Sequence, residues 1–153
     1  MLQWAADKIS SIFENRDLET KWLCGNTSKL GMPNAFSSFM KDSAWYGLRD
    51  FLAEKSAPGS TDTLSSYVCP RNGKVHSVVK FPIIVSAPSI SKGSSGVKSY
   101  YWVIKIPLKL VLLRNDDFNP SSQTLSRMAT VVVQRENESK YPSGFAFERI
   151  VIV

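Results

Sequence analysis

His76 is the only imidazole in the sequence, so proton transfer near neutral pH would fall to it. It shares the polar side of an alternating stretch with Lys80. A general base needs an orienting partner and a pocket, and the neighbouring residues supply neither. His76 therefore reads as a surface histidine. Serines are abundant, but no Gly-x-Ser-x-Gly elbow occurs, nor does a phosphate-cradling glycine loop. Asp116 and Asp117 could help hold a cation, yet their Asn- and Pro-containing surroundings favour a turn. Cys24 and Cys69 lack a CxxC spacing, so they do not read as metal ligands. In an oxidising compartment they could pair and close a long loop, which chain entropy values at about 4 kcal/mol. Two separate buried thiols are the alternative. No catalytic residue, cofactor site or metal site emerges.

The run Tyr100-Tyr101-Trp102 beside lysines could stack bases on a sheet. Tyr100 and Trp102, however, belong to a continuous apolar alternation with Ile104, Ile106, Leu108, Leu110 and Leu112, which predicts a core face. Tyr101 is left on the lysine side, and one aromatic is a poor stacking platform. Together with His76, an outer face carrying Lys80, Tyr101, Val103, Lys105 and Lys109 would mix cationic heads with apolar bodies. Such a face suits docking of another protein, and it also suits plain exposure to solvent.

These side chains have to be positioned by helices in the first part of the chain and strands in the rest. Leu2, Ala5, Ile9, Ile12 and Phe13 follow the spacing of one helical stripe. Asn15 or Asp17 could cap a short second helix with Leu18, Trp22 and Leu23. Pro33 or Asn34 can start a turn that carries Phe36, Phe39 and Met40. Ser43 is a plausible cap for a helix whose apolar side is Trp45, Leu48, Phe51 and Leu52. Ser56 to Ser60 end it. A short strand at 64–69 with an Asn72-Gly73 turn is outweighed by an ordinary loop.

From Val75 to Val85 one strand is predicted, with its odd residues toward the core. Pro107, which lacks an amide donor, marks a bulge or an edge in the next. Asn115 to Ser122 read as a loop. The strand from Leu125 to Arg135 is apolar on both sides, so its core face is open, and Phe145 to Val153 form a last strand. No helix separates consecutive strands, so they should be antiparallel neighbours. The expectation is one α+β domain over 1–153, mainly helical in 1–55 and mainly strands in 62–153.

Composition fits this. Hydrophobic residues are 43% and charged residues 21%, which argues against a disordered chain. The net charge of +6 is unevenly placed: residues 1–60 carry seven Lys/Arg and seven Asp/Glu, residues 61–153 twelve and six. A basic second part could meet nucleic acid, anionic lipid or an acidic protein, or could simply be a solvated sheet face. The longest apolar region, Tyr100 to Leu113, is broken by Lys105, Pro107 and Lys109 and falls short of a membrane span. The N-terminus has no signal-peptide layout. Either the protein is cytoplasmic or an anchor precedes Met1.

Several segments resemble the DotI/IcmL/TraM proteins. Tyr101-Trp102-Val103-Ile104-Lys105-Ile106-Pro107-Leu108 is similar to their aromatic–Trp–x4–Pro strand. Trp4-Ala5-Ala6 resembles the helix after their membrane anchor, and the run from Ala44 to Leu52 their second helix. The stretch from Val131 to Arg135, followed by that from Ser143 to Phe147, is similar to their closing strands. Ala44 where Gly is frequent, an apparent insertion at Ala57–Thr61 and the two cysteines depart from the pattern. The plasmid TraM branch is the nearer match.

The resemblance implies a curved, roughly four-stranded antiparallel sheet around helices, a nuclear-transport-factor-like cone. It implies a periplasmic domain of a bitopic inner-membrane protein, anchored by a membrane helix before residue 1. Its role would be scaffolding in a type IVB secretion or conjugative DNA-transfer apparatus, with self-association, other inner-membrane components as partners, and no small-molecule substrate. Two rival readings are a small-molecule or enzymatic domain of the same fold, using Arg127, Arg135 and Arg149 in a pocket, and DNA contact through the basic sheet.

Overall fold

The computed structural model describes residues 1–24, 31–56, 73–86, 89–92, 98–115 and 120–153. Helix α1 spans Leu2–Phe13, helix α2 Arg16–Leu18 and helix α3 Asp42–Ser56. A π-helical turn, Glu19–Leu23, continues α2, and a 3₁₀ turn at Asn34–Phe36 precedes α3. Six strands follow: β1 Gly73–Val79, β2 Ile83–Ile84, β3 Ser89–Lys92, β4 Lys98–Asn115, β5 Pro120–Arg135 and β6 Phe145–Ile152.

All six strands belong to one antiparallel sheet, and β1, β2 and β3 each pair with β4. Successive segments of β4 receive them: β1 lies against 108–114, β2 against 104–105 and β3 against 98–101. The three therefore make one interrupted edge lane, and the sheet is four lanes wide, in the order edge lane, β4, β5, β6. With the helices on one face, this is the α+β architecture expected.

Alternation along β4 sends Ile104, Ile106, Leu108, Leu110 and Leu112 inward, all buried. On β5 the open choice resolves to Ala129, Val131 and Val133, each fully buried. Val75 from β1 and Phe147, Ile150 and Ile152 from β6 complete the inner face. The helices cover it with Ala5, Ile9, Ile12 and Phe13 from α1, and with Trp45, Leu48, Phe51 and Leu52 from α3. Burying side chains of this size stabilises by roughly 1.5–3 kcal/mol each, before the cost of ordering the chain. Trp22 packs edge-on against Trp45 with centroids 5.3 Å apart, which seats the π-helical turn on α3.

Polar groups meet partners where the helices join the sheet. Asn15, rather than Asp17, caps α2: its Oδ1 accepts from the Leu18 amide at 3.1 Å. Ser77 is buried, with its Oγ 2.9 Å from that of Ser10 on α1. Glu19 is buried too, and Arg16 donates to its carboxylate at 2.9 Å. The Phe39–Lys41 segment lies along β6, where the Phe147 amide donates to the Phe39 carbonyl and the Lys41 amide to the Phe147 carbonyl. That cover blunts one sheet edge.

Several expectations need correction. Ser43 is not a cap, because α3 already begins at Asp42; its hydroxyl instead donates to the Glu148 carbonyl at 2.6 Å and ties α3 to β6. The strand read from Val75 to Val85 is two strands, since Pro82 interrupts it. Val75 and Ser77 do face the core, but Phe81, Ile83 and Val85 are exposed, Phe81 to 81%. Tyr100 is also exposed, at 46%, lying beyond the helices' cover, whereas Trp102 is half-buried against Phe145. β4 and β5 extend into the expected loop and pair as far as Asn115 with Pro120. The stretch 64–69 and the Ala57–Thr61 insertion lie outside the described residues.

Pro107 marks neither a bulge nor an edge. The β4–β5 register runs through it unbroken, and β4 is flanked on both sides. Its carbonyl accepts from the Lys80 amide, so its donorless nitrogen faces the edge lane where that lane is interrupted between β1 and β2. The register shift falls instead between Val132 and Val133, opposite β6.

Two predictions follow from the seam between α3 and β6. A Cβ built on Gly47 would stand 2.1 Å from the Ile150 carbonyl oxygen, so glycine is what lets α3 lie directly on β6. Gly47→Ala should destabilise by about 3 kcal/mol, at the upper end of overpacking costs, as read by urea denaturation. Lys41 is held by Glu136, by Glu148 at 3.1 Å and by Gln134 at 2.8 Å. Burial acts to lower its pKa, but hydrogen bonds and charge from the two glutamates outweigh this and raise it above 10.5. A folded-state pKa raised in this way stabilises fully below the unfolded value and less as pH climbs through the folded one. The stability gap between the parent and Lys41→Met should therefore be constant just below pH 10.5 and shrink above it.

Candidate protein-interaction surface

The same alternation that sends β4's aliphatics inward sends its odd residues outward. Tyr101, Val103, Lys105, Pro107 and Lys109 lie on this outer face, and registered pairing extends it into rows across the sheet. Lys80 hydrogen-bonds at Pro107, which pairs with Met128, whose backbone exchanges two bonds with Val153. Ile83 is opposite Lys105, then Thr130, then Val151. The Val85 amide donates to Val103, which is opposite Val132, then Arg149.

All five expected residues, Lys80, Tyr101, Val103, Lys105 and Lys109, are thus brought together on one face. Lys80 and Lys105 are exposed, and the other three half-buried. A groove of about 380 Å³ lies at the Pro107 row, and its lining includes Lys80, Pro107, Lys109, Arg127, Met128 and Val153. Beyond Tyr101 and Val103, reasoning from sequence missed most of the apolar share of this surface: Phe81, Ile83, Val85, Met128, Val132, Val151 and Val153. The signal was available in β5, whose second apolar side has no interior to enter once the first faces the core.

His76 shares the outward parity of Lys74 on β1 and stands opposite Val111, with Nδ1 3.0 Å from Glu14 Oε1, so one helix carboxylate reaches the β1 end of this face. The remaining residues with chemical potential are placed as follows. No free cysteine thiol occurs among the described residues; Cys69, the candidate partner of Cys24, lies outside them, as do Asp116 and Asp117. Arg127 is half-buried with the inward parity of Ala129 and Val131 and also lines the groove, while Arg135 and Arg149 are exposed, so the three are not gathered in one pocket. Among the described residues, Glu19 and Ser77 are the buried polar side chains, and both are partnered within the fold. No three His, Cys, Asp or Glu side chains cluster as a metal site among them.

A cleft of about 550 Å³ contains Lys41, Glu136 and Glu148. Its lysine shifts upward, opposite to the lowering that activates a nucleophilic amine.

No family model matches the sequence, and no curated protein does. Solved structures do match. The periplasmic domain of DotI is 18% identical, with a TM-score of 0.65 over 99% of this chain and 91% of that one. A periplasmic fragment of TraM is 12% identical, with a TM-score of 0.64 over 98% and 92%. An IcmL-like type IV secretion system protein from Legionella pneumophila subsp. pneumophila str. Philadelphia 1 is 8% identical, with a TM-score of 0.52 over 99% and 88%. The first two scores do not separate the DotI and TraM branches. Across nearly its whole length, this chain shares the fold of the DotI periplasmic domain, the TraM periplasmic fragment and the IcmL-like protein.

Proposed function

We propose that this domain is a structural, protein-binding component of a type IVB secretion or conjugative DNA-transfer apparatus. It stands on the periplasmic side of the inner membrane, held by an anchor upstream of residue 1, and contributes to a core complex by contacting other inner-membrane components and copies of itself. The observation that carries this reading is the match to the DotI periplasmic domain over 99% of the chain. No helix among the described residues is long and apolar enough to cross a membrane. A pairing of Cys24 with Cys69 belongs to the same proposal, because a periplasmic location is oxidising enough to form it.

The physical chemistry supports a binding role over catalysis. The described ionisable groups lie at the surface or in pairs that hold the fold together, and the inner face of the sheet is filled by helix side chains. The outer face, by contrast, presents apolar bodies between cationic heads, a mixture that buries well against another protein.

The test is sedimentation velocity over a concentration series, on the isolated domain and on the protein with its upstream segment in detergent micelles. Mass should rise with concentration, more steeply for the tethered form, where local concentration is high. A strict monomer in both forms would overturn the self-association.

A further inference from the structure

The outer face has a charge pattern that selects among partners. Within the six strands the only acidic residue is Glu148, and it turns to Lys41 at 3.1 Å. Lys74, Lys80, Lys105, Lys109 and Arg149 therefore stand on the outer face with no strand carboxylate among them. Between them the surface is apolar, with Ile83 56% and Val85 51% exposed.

From this pattern we infer that the outer sheet face docks a carboxylate-bearing protein segment, whose apolar side chains settle over Pro107, Met128 and Val132 while its acids meet Lys80, Lys105 and Lys109. The inference rests on the protein-binding reading above and adds the chemistry of the partner.

Four physical considerations favour this occupant. A second copy offers no charge complement: a two-fold contact through this face would set the lysines against their own counterparts, and residues 1–60 balance seven positive charges with seven negative. A nucleic-acid strand needs a continuous positive track with aromatic platforms, whereas these cations are separated by aliphatics, and the two rings of the face, half-buried Tyr101 on β4 and exposed Phe81 at the break in the edge lane, do not form a run. Addition of a strand at the open edge is hindered by Pro82, which splits the edge lane. Four lanes wide and about eight residues long, the face covers on the order of 400–500 Å². That is about half the roughly 800 Å² per partner of a standard interface, so it suits a single segment better than a whole domain.

The experiment is panning of a phage-displayed random 16-residue peptide library on the intact domain in physiological salt. Enriched peptides should carry an excess of Asp and Glu around aliphatic or aromatic residues. They should lose about tenfold or more in affinity for the Lys80→Glu/Lys105→Glu/Lys109→Glu variant, and bind more weakly as salt rises. A Lys105→Gln/Lys109→Gln variant, milder and checked for native circular dichroism, should show a smaller loss in the same direction.

Absence of enrichment, peptides without acidic excess, or equal binding by the charge-reversed variant would each overturn the inference. So would tighter binding of a single-stranded oligonucleotide or of phosphatidylglycerol vesicles than of any selected peptide. Sedimentation of the same variants separates the two readings. Unchanged self-association alongside failed peptide docking removes the acidic partner and leaves the scaffold standing.

Discussion

Five aliphatic side chains at alternate positions of β4, from Ile104 to Leu112, are the constraint around which the molecule is arranged. A strand this apolar on one side cannot leave that side in water, and a four-lane antiparallel sheet has one face to cover. α1 and α3 supply the cover, and their stripes meet the strand in one continuous cluster. Once the helices occupy that face, the other face must deal with solvent or partners by itself.

The seam between helices and sheet is made largely of aromatic rings. Trp102 packs on Phe145, Phe145 on Trp4, Trp4 on Phe147 and Phe147 on Phe39, each pair with centroids within 6 Å. Phe39 continues through Phe36 and Trp45 to Trp22. The chain of contacts runs through Trp4, Trp45, Trp102, Phe145 and Phe147, which lie in the segments that resemble the DotI/IcmL/TraM proteins. Those short motifs therefore share a physical cause: they are the rings that fasten the first helix and β6 to the central strand. Gly47 has a complementary part, since close approach of α3 to β6 leaves no room there for a side chain.

Much of this was legible in the sequence because one period dominates each element. The stripe of α1, the apolar side of α3 and the inward residues of β4 were all readable from spacing, and the lysine face followed from the same alternation. What escaped was set by partners distant in sequence. Ser43 looks like a cap locally, but its hydroxyl is drawn to Glu148, and no local rule contains that bond. Phe81, Ile83 and Val85 continue the core parity of Val75, yet the break at Pro82 adds one residue to the edge lane between Val79, opposite Leu108, and Ile83, opposite Lys105, which turns Ile83 and Val85 to the outer face. Pro107 suggested a defect in its own strand, whereas the irregularity sits in the neighbouring lane. For β5, both sides were apolar, and only the position of the helices could choose between them.

The central claim is that the interior is a filled apolar core, which leaves binding and assembly to the surface. Ile106, fully buried on the middle strand, probes it most directly. Truncation there should remove contacts on all sides, so urea denaturation of Ile106→Ala should report a loss of about 3 kcal/mol, within the 2–5 kcal/mol of packed cores. A loss below about 1 kcal/mol would mean that the side chain borders a hollow, and the account would be contradicted.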